Sequence, residues 1–568
     1  MQEKKLTGYP SIDKPWLKYY SEEAINAPLP KCTMYQYIWE NNKDHLSDIA
    51  LRYYGTKITY DKLFENIKKA ANAFYSMGVR AGDIVTIMSM HTPECIYALY
   101  GLNYIGAIAN MVYMTLSEKE ILDTLENTES KLLLVLDLVL DKIISNKDKI
   151  GIPVVVLGVS DSMPPYMKLG YRLKTKSGKH PFLSYSQLLS EGKKEPLLSD
   201  DHTAPAVIVY TSGTTGEPKG VELTNHSLNS MAFQDYTAEH LHIKRGYLFL
   251  DILPTFIGFG VAHIHLAIIS GVESYLWIDL NPQKIIDQLF RINPNFFIAG
   301  PAFTDALINH KIEDLSNLNL FIGGGGAIAD KDEKEINSLL RKCNSHAIYS
   351  NGYGMTEAAS TLTCSSNEVY SHQSVGIPFP KNNVKIVDIN SGKELKFNEI
   401  GELWFCTPNL MKGYFKNQKA TDEIVSHDEN GNLWLHTGDL GTVDENGFVY
   451  IKGRLKRIYI TRGKDGTAYK LFPQRIEEAI KSNDKVIDCA ALVKEDPIRM
   501  YVAFAYVTIK DNSNLDNEDL LKICVEELPE HNRPESIYII DKMPITASGK
   551  IDYQALEKLV EEELKELQ

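Results

Sequence analysis

An α/β architecture, with a large N-terminal domain of largely parallel sheets and a small α+β C-terminal domain, is what this 568-residue sequence predicts. Three observations carry that expectation. Short β-rich runs alternate with helical patterns. The runs lack the polar alternation of a half-solvated sheet, so their strands are covered on both faces. The chain is also too long for one core of ordinary size and must divide.

In chain order, "ITYDKLFENIKKAANAFYSMG" (58–78) has helical spacing, and "DIVTIMSM" (83–90), "KLLLVLD" (131–137) and "PVVVLGV" (153–159) read as buried strands. "AVIVY" (206–210) is a further strand, leading straight into a loop. From about residue 440 the texture changes. "TVDENGFVYIKGR" reads as two short strands joined by a turn on "ENG". Short mixed elements follow to a charged closing helix, "YQALEKLVEEELKELQ". The expected domains are 1–452 and 453–568, the second of roughly the usual ~100-residue size.

Composition narrows the function. Hydrophobic residues make up 44% and charged residues 24%, as in a globular protein with a substantial core, and the net charge of −14 speaks against bulk nucleic-acid binding. Seven dispersed cysteines without a CxxC pair argue against a disulfide framework or structural zinc. The N-terminal stretch lacks an apolar signal region, and 247–278, the most membrane-like segment, is interrupted by Asp251, Pro254, His263 and His265. A cytoplasmic location is expected. One segment departs from the acidic average. Residues 162–190 hold no acid but carry Lys168, Arg172, Lys174, Lys176 and Lys179 among Tyr166, Met167, Leu169, Tyr171 and Leu173. That is a solvated loop, or else a docking face for an acidic partner or an anionic membrane surface.

The loop after "AVIVY" is "YTSGTTGEPKG" (210–220). Small hydroxyls, glycines and one lysine suit a polyphosphate, because backbone amides and hydroxyls can wrap phosphate oxygens at the carboxyl edge of a sheet. The Walker pattern fails, since Gly216 is followed by Glu217, Pro218 and Lys219.

This loop resembles the phosphate-loop signature of the adenylate-forming superfamily, and four more motifs follow in that family's order. They are "GGGGAIA" (323–329), "NGYGMTE" (351–357), "WLHTGD" (434–439) with "GRLK" (453–456), and "PITASGKID" (544–552). Weaker likeness, as in "GLNYIGAIANMVYMTLSEKEI" (101–121), extends over nearly the whole chain. The resemblance implies that Thr211, Ser212, Gly213, Thr214, Thr215 and Gly216, with Lys219, hold the ATP phosphates. It lays Gly325, Gly326 and Ala327 against adenine and the acyl group. Within Asn351, Gly352, Tyr353 and Gly354, the tyrosine would stack on adenine. Thr356 would bond the α-phosphate, and Glu357 would help hold Mg²⁺. Asp439 would receive the ribose hydroxyls with Arg454 beside it, Lys456 would be the domain hinge, and Lys550 the catalytic lysine.

The implied chemistry is activation of a small-molecule carboxylic acid. The acid attacks the α-phosphate of ATP, pyrophosphate leaves, and a thiol or amine then attacks the acyl-AMP after the small domain has turned. The family's Pro-x-Phe-His segment reads Pro254, Thr255, Phe256, Ile257 here. It lacks both the histidine and the aspartate that amino-acid-activating relatives use. Phe256, Ile257, Phe259 and Val261 would form an apolar wall suited to a medium- or long-chain fatty acid. The acceptor is CoA or the phosphopantetheine of an acyl carrier protein. Gly463 would line the thiol tunnel, yet Pro473 follows ten residues later, Arg475 replaces a glutamate, and Arg457 stands where an acid is common.

Overall fold

The computed structural model describes residues 6–558, apart from 176–179, 191, 212–217, 301–302, 325–327, 329, 458, 463–467, 511–512 and 547–549. The parallel runs of the sequence form two sheets. In the first, strands Leu183–Ser184, Val154–Leu157, Leu132–Leu136, Ile84–Met88, Ile108–Met111 and Pro205–Tyr210 lie side by side and parallel. Gly220–Thr224 then pairs antiparallel with Pro205–Tyr210, and Gly413–Tyr414 closes that edge. The loop 211–219 is thus a hairpin returning from a parallel strand to an antiparallel one, with Thr211 N donating to Lys219 O at its base (3.1 Å).

The second sheet runs Ile49–Tyr53, Glu273–Leu276, Leu248–Asp251, Phe296–Ala299, Leu320–Gly323 and Tyr349–Met355, all parallel. Ser360–Cys364 and Ile377–Pro378 extend it antiparallel. The helix Gly258–Ser270 packs into both hydrophobic cores, and its buried face runs all round, as its nearly unbroken apolar sequence requires. The segment 58–78 forms the helix Tyr60–Ser76, capped by the Thr59 hydroxyl, which accepts from Lys62 N.

A third, antiparallel sheet contains Asn383–Val387, Gly401–Cys406, Leu433–Val443 and Val449–Arg454. The expected hairpin at "ENG" exists, with Gly447 N donating to Asp444 O (2.9 Å). Its first strand is not short, however. It spans eleven residues, because Leu433–Val443 is flanked by partners on both edges. The second strand continues through Arg454, so that residue belongs to this sheet, and the turn Leu455–Arg457 follows.

Beyond it, Tyr459–Arg462 pairs with Ala468–Leu471, and Val486–Asp496, Met500–Ile509 and Ser536–Ile539 form another sheet. Helices Pro473–Lys481 and Asn517–Glu527 cover it around Ile476, Ile480, Leu520 and Cys524. The closing helix is present over 553–558, and the rest of it lies outside the described residues. All seven cysteines are free. Among the described residues no helix is long and apolar enough to cross a membrane. The acid-free segment is not a loop. It contains the helix Pro165–Thr175, and Lys176 and Lys179 lie outside the described residues.

Candidate active site

Parallel pairing puts the carboxyl ends of neighbouring strands beside one another, and the motifs at 210–220, 323–329 and 351–357 follow or end such strands. Gly323, which opens the glycine run, pairs with Ala299 on one side and Asn351 on the other. A Cβ on Gly323 would lie 2.1 Å from the Tyr349 hydroxyl, so the close approach of these strands requires glycine. The same holds for Gly354, whose added Cβ would fall 1.5 Å from Ser360 O. The chain after Glu357 turns through two non-glycine residues at positive φ, Ala359 (47°) and Ser360 (95°). Such backbone is costly and concentrates at functional sites.

Glu357 is buried, accepts a hydrogen bond from the Tyr414 hydroxyl (2.6 Å), and its backbone carbonyl accepts from Met411 N (2.8 Å). The Lys219 ammonium lies 4.9 Å from the centre of the Tyr414 ring. Tyr414 therefore links the base of the hydroxyl-rich loop to Glu357. Burial and the neighbouring Glu357 carboxylate push its phenol far up, so it stays a donor. Thr356 packs against the start of the long helix, 3.1 Å from where a Gly258 Cβ would stand.

Asp439 and Arg454 face each other in register on adjacent strands, with Arg454 Nε 3.0 Å from Asp439 Oδ1. The Tyr353 hydroxyl donates to Asp439 Oδ2 (2.6 Å). A carboxylate has about four acceptor positions, so two remain for further hydroxyls.

Lys550 approaches from the C-terminal part. Its strand–turn is held by Thr546 N donating to Lys550 O (2.6 Å) and by the bridge Ile545–Ile551. The residue is exposed to water, with protein crowded around its ammonium. That crowding, and then the Arg454 guanidinium, depress its pKa, partly offset by Asp439 and Glu357. The structure therefore brings Lys550, Arg454, Asp439 and Glu357 into one electrostatic neighbourhood.

The expected acyl wall divides in two. Phe256 and Val261 are buried in the core, Phe256 against Tyr113 (5.2 Å between ring centroids). Ile257 and Phe259 keep accessible surface, and Phe259 reaches the glycine run, 3.3 Å from where a Gly324 Cβ would be. One turn on, the His263 ring lies tilted against Phe259 (4.2 Å between centroids, 57°) and donates from Nδ1 to its carbonyl (2.8 Å). Burial lowers its pKa to about 4, so it is neutral.

Ser212, Gly213, Thr214, Thr215, Gly216, Gly325, Gly326, Ala327 and Gly463 lie outside the described residues. Lys456 sits in the turn Leu455–Arg457. Arg457 is not free to meet a substrate. Its guanidinium forks onto Glu477 (2.7 and 3.2 Å), and also donates to Tyr553 OH (3.0 Å) and Ala491 O (2.9 Å). Tyr414 and Glu477 were not legible beforehand as partners, because each is more than fifteen residues from the group it holds.

Among the described residues no three His, Cys, Asp or Glu side chains cluster as a metal cage. A single buried carboxylate, Glu357, fits a Mg²⁺ ion that takes its other ligands from phosphate oxygens and water.

An α/β enzyme whose polar and charged side chains gather from parallel-strand ends, an antiparallel sheet and a C-terminal part is the class that this fold and site define. Residues 38–415 match the AMP-binding enzyme family, and residues 475–550 match the AMP-binding enzyme C-terminal domain. The chain belongs to the AMP-binding enzymes, the adenylate-forming family that includes acyl-CoA synthetases. It is 27% identical to a long-chain-fatty-acid–CoA ligase of Bacillus subtilis, over 97% of this chain and 98% of that one. It is 24% identical to 4-coumarate–CoA ligase 3 of Arabidopsis thaliana, over 88% and 85% respectively. Its fold is that of ATP-bound MatB from Rhodopseudomonas palustris, with a TM-score of 0.78 at 21% identity over 92% of this chain and 98% of that one.

Proposed function

We propose that the protein joins a medium- or long-chain fatty acid to ATP, forming acyl-AMP and pyrophosphate, and then transfers the acyl group to the thiol of CoA. The observation that carries this reading is the convergence of Lys550 with Glu357, Asp439 and Arg454. An acid and a triphosphate are both anionic, so catalysis consists of positioning and charge neutralisation. In this reading Asp439 and Arg454 take the ribose, with Tyr353 under the adenine. Lys219, Thr211 and Thr356 take the phosphates. Mg²⁺ held by Glu357 would neutralise phosphate charge and polarise the phosphoryl oxygens. The Lys550 ammonium bridges the attacking carboxylate and the α-phosphate, suited to this as a compact charge on a flexible stem.

The domains divide near 453–456, and a turn about Lys456 removes Lys550 before the thiol attacks. Support for an aliphatic acid comes from the apolar, accessible Ile257 and Phe259 and from the Bacillus subtilis relative. A second reading, loading of an acyl carrier protein, is favoured by the lengthened segment between Gly463 and Pro473. Arg457 no longer speaks for it, since Glu477 occupies that guanidinium.

The test is pyrophosphate release screened across fatty, hydroxycinnamic and amino acids, repeated with CoA and with a phosphopantetheinylated carrier. Release that depends on a fatty acid, and thioester that forms on free CoA, is the expected result. Release with aromatic acids alone overturns the acid, and thioester only on the carrier overturns the acceptor.

A further inference from the structure

The helix Pro165–Thr175 exposes its apolar side. Tyr166, Leu169 and Leu173 are 74%, 62% and 75% exposed, and their spacing of three and four residues sets them in one stripe along the helix. In an ordinary surface helix that stripe would face the core.

The helix is not free to roll over and bury it. Lys168 Nζ donates to the Asp161 carbonyl (3.2 Å) and stands 3.4 Å from its carboxylate, while the Tyr171 hydroxyl donates to Asp137 Oδ1 (3.4 Å). Asp161 is itself pinned by Gly158 N (3.0 Å) and Asp137 by Val159 N (3.2 Å). These bonds occupy the inward face and hold the stripe outward. Leu138, next to Asp137 in the chain, is a further exposed leucine at 54%.

The surrounding charge is the second, independent observation. A protein of net charge −14 has no acid between residues 162 and 190, where it carries five Lys and Arg. Positions 172 and 174 lie to either side of the stripe by helical spacing.

We propose that this helix docks the protein onto an anionic lipid surface, with Tyr166, Leu169 and Leu173 entering the acyl boundary and the basic segment meeting the headgroups. A short helix with an exposed apolar stripe in a basic segment is the interfacial pattern, and a planar bilayer can cover it without a shaped groove. A second copy of the chain is a poorer occupant, because a two-fold contact sets like-charged segments against each other. An acidic protein surface would satisfy the cations and leave the stripe in water. The docking is independent of which acid is activated and of the acceptor.

The experiment is co-sedimentation of the full chain with phosphatidylcholine vesicles containing or lacking about a third phosphatidylglycerol, at low and high salt. Binding to the anionic vesicles that weakens with salt is expected, with little binding to the neutral ones. Leu169→Ser with Leu173→Ser should lower the partition coefficient at least about tenfold. Lys174→Glu with Lys176→Glu and Lys179→Glu should remove the preference for anionic lipid. Both variants should release pyrophosphate without vesicles as the parent does, which shows that they fold. Vesicle binding unchanged in both variants overturns the proposal. So does failure of the parent to bind the anionic vesicles, and self-association that the leucine variant abolishes, or a carrier-dependent second step that the charge variant abolishes, would then name the occupant.

Discussion

Lys550 feels the field of several charged groups, and among the described residues no ion pair fixes it. If it stabilises the pentavalent phosphate, Lys550→Ala should slow pyrophosphate release by about 10²–10³ while ATP still binds. Pyrophosphate exchange at near-parent rates would end the assignment. Its depressed pKa adds a signature. A lysine whose pKa is lowered loses its proton at lower pH than a free one, so release should decline on the alkaline side earlier than the ordinary lysine value predicts. Lys550→Arg keeps the charge and should remove that decline. Asp439 presents the opposite case, since Tyr353 and Arg454 already hold both its oxygens. Asp439→Ala should weaken apparent ATP affinity by at least about tenfold, given roughly 1.5–3 kcal/mol for each charge-assisted bond. A change below about threefold in a titration of ATP would remove the ribose role.

Among the elements, the turn Leu455–Arg457 matters most, because its two ends belong to different bodies of structure. Arg454 pairs with Asp439 in the large antiparallel sheet, and Arg457 is tied to Glu477, Ala491 and Tyr553 beyond it. A change in relative orientation must therefore be absorbed by the few residues between. Proline fixes φ near −65°. Lys456→Pro should retain acyl-AMP formation and lose most thioester formation, read as separate half-reactions. Equal loss of both would signal misfolding. The Arg457–Glu477 pair is predicted to act on stability instead. Removing one member of a largely buried pair strands the other, so Arg457→Ala should cost about 3 kcal/mol or more. Urea unfolding followed by a probe in the C-terminal part measures that loss.

For the whole molecule, burial raises the carboxyls of Glu94, Asp251 and, furthest, Asp235, and each makes folding pH-dependent. Asp235 is buried, among the described residues the Thr361 hydroxyl alone donates to it (3.2 and 3.3 Å), and burial lifts its pKa to about 8. A carboxyl raised in the folded state binds its proton more tightly there than in the unfolded chain. Its contribution is therefore fully present below the unfolded value near 4 and is lost as pH rises towards about 8, at a slope of up to about 1.4 kcal/mol per pH unit. Asp235→Asn should lessen the fall of stability between pH 5 and 8 and raise stability at pH 8, measured by urea unfolding. A variant that loses stability at every pH would show that the carboxyl has a role an amide cannot fill.

Much of this protein is legible from residue order because its signals are local. The apolar runs at 84–88, 132–136 and 154–157 had to become covered strands, and positions 323 and 354 had to be glycine, since any Cβ at Gly323 or Gly354 collides with a neighbouring strand. The sequence likewise determined the family, through motifs whose glycine, hydroxyl and charge spacing few other chemistries require. What only the tertiary structure decided are the relations between distant segments. It brought Tyr414 to Glu357 across 57 positions and Lys550 to Asp439 across 111. It assigned Arg457 to Glu477, separated the buried Phe256 and Val261 from the accessible Ile257 and Phe259, and turned an apolar stripe at 166–173 towards solvent. Each of these depends on which surfaces of already formed elements meet. Helical and strand periodicity specify that a face is apolar or charged, but the burial of that face depends on the sheet or helix that arrives beside it.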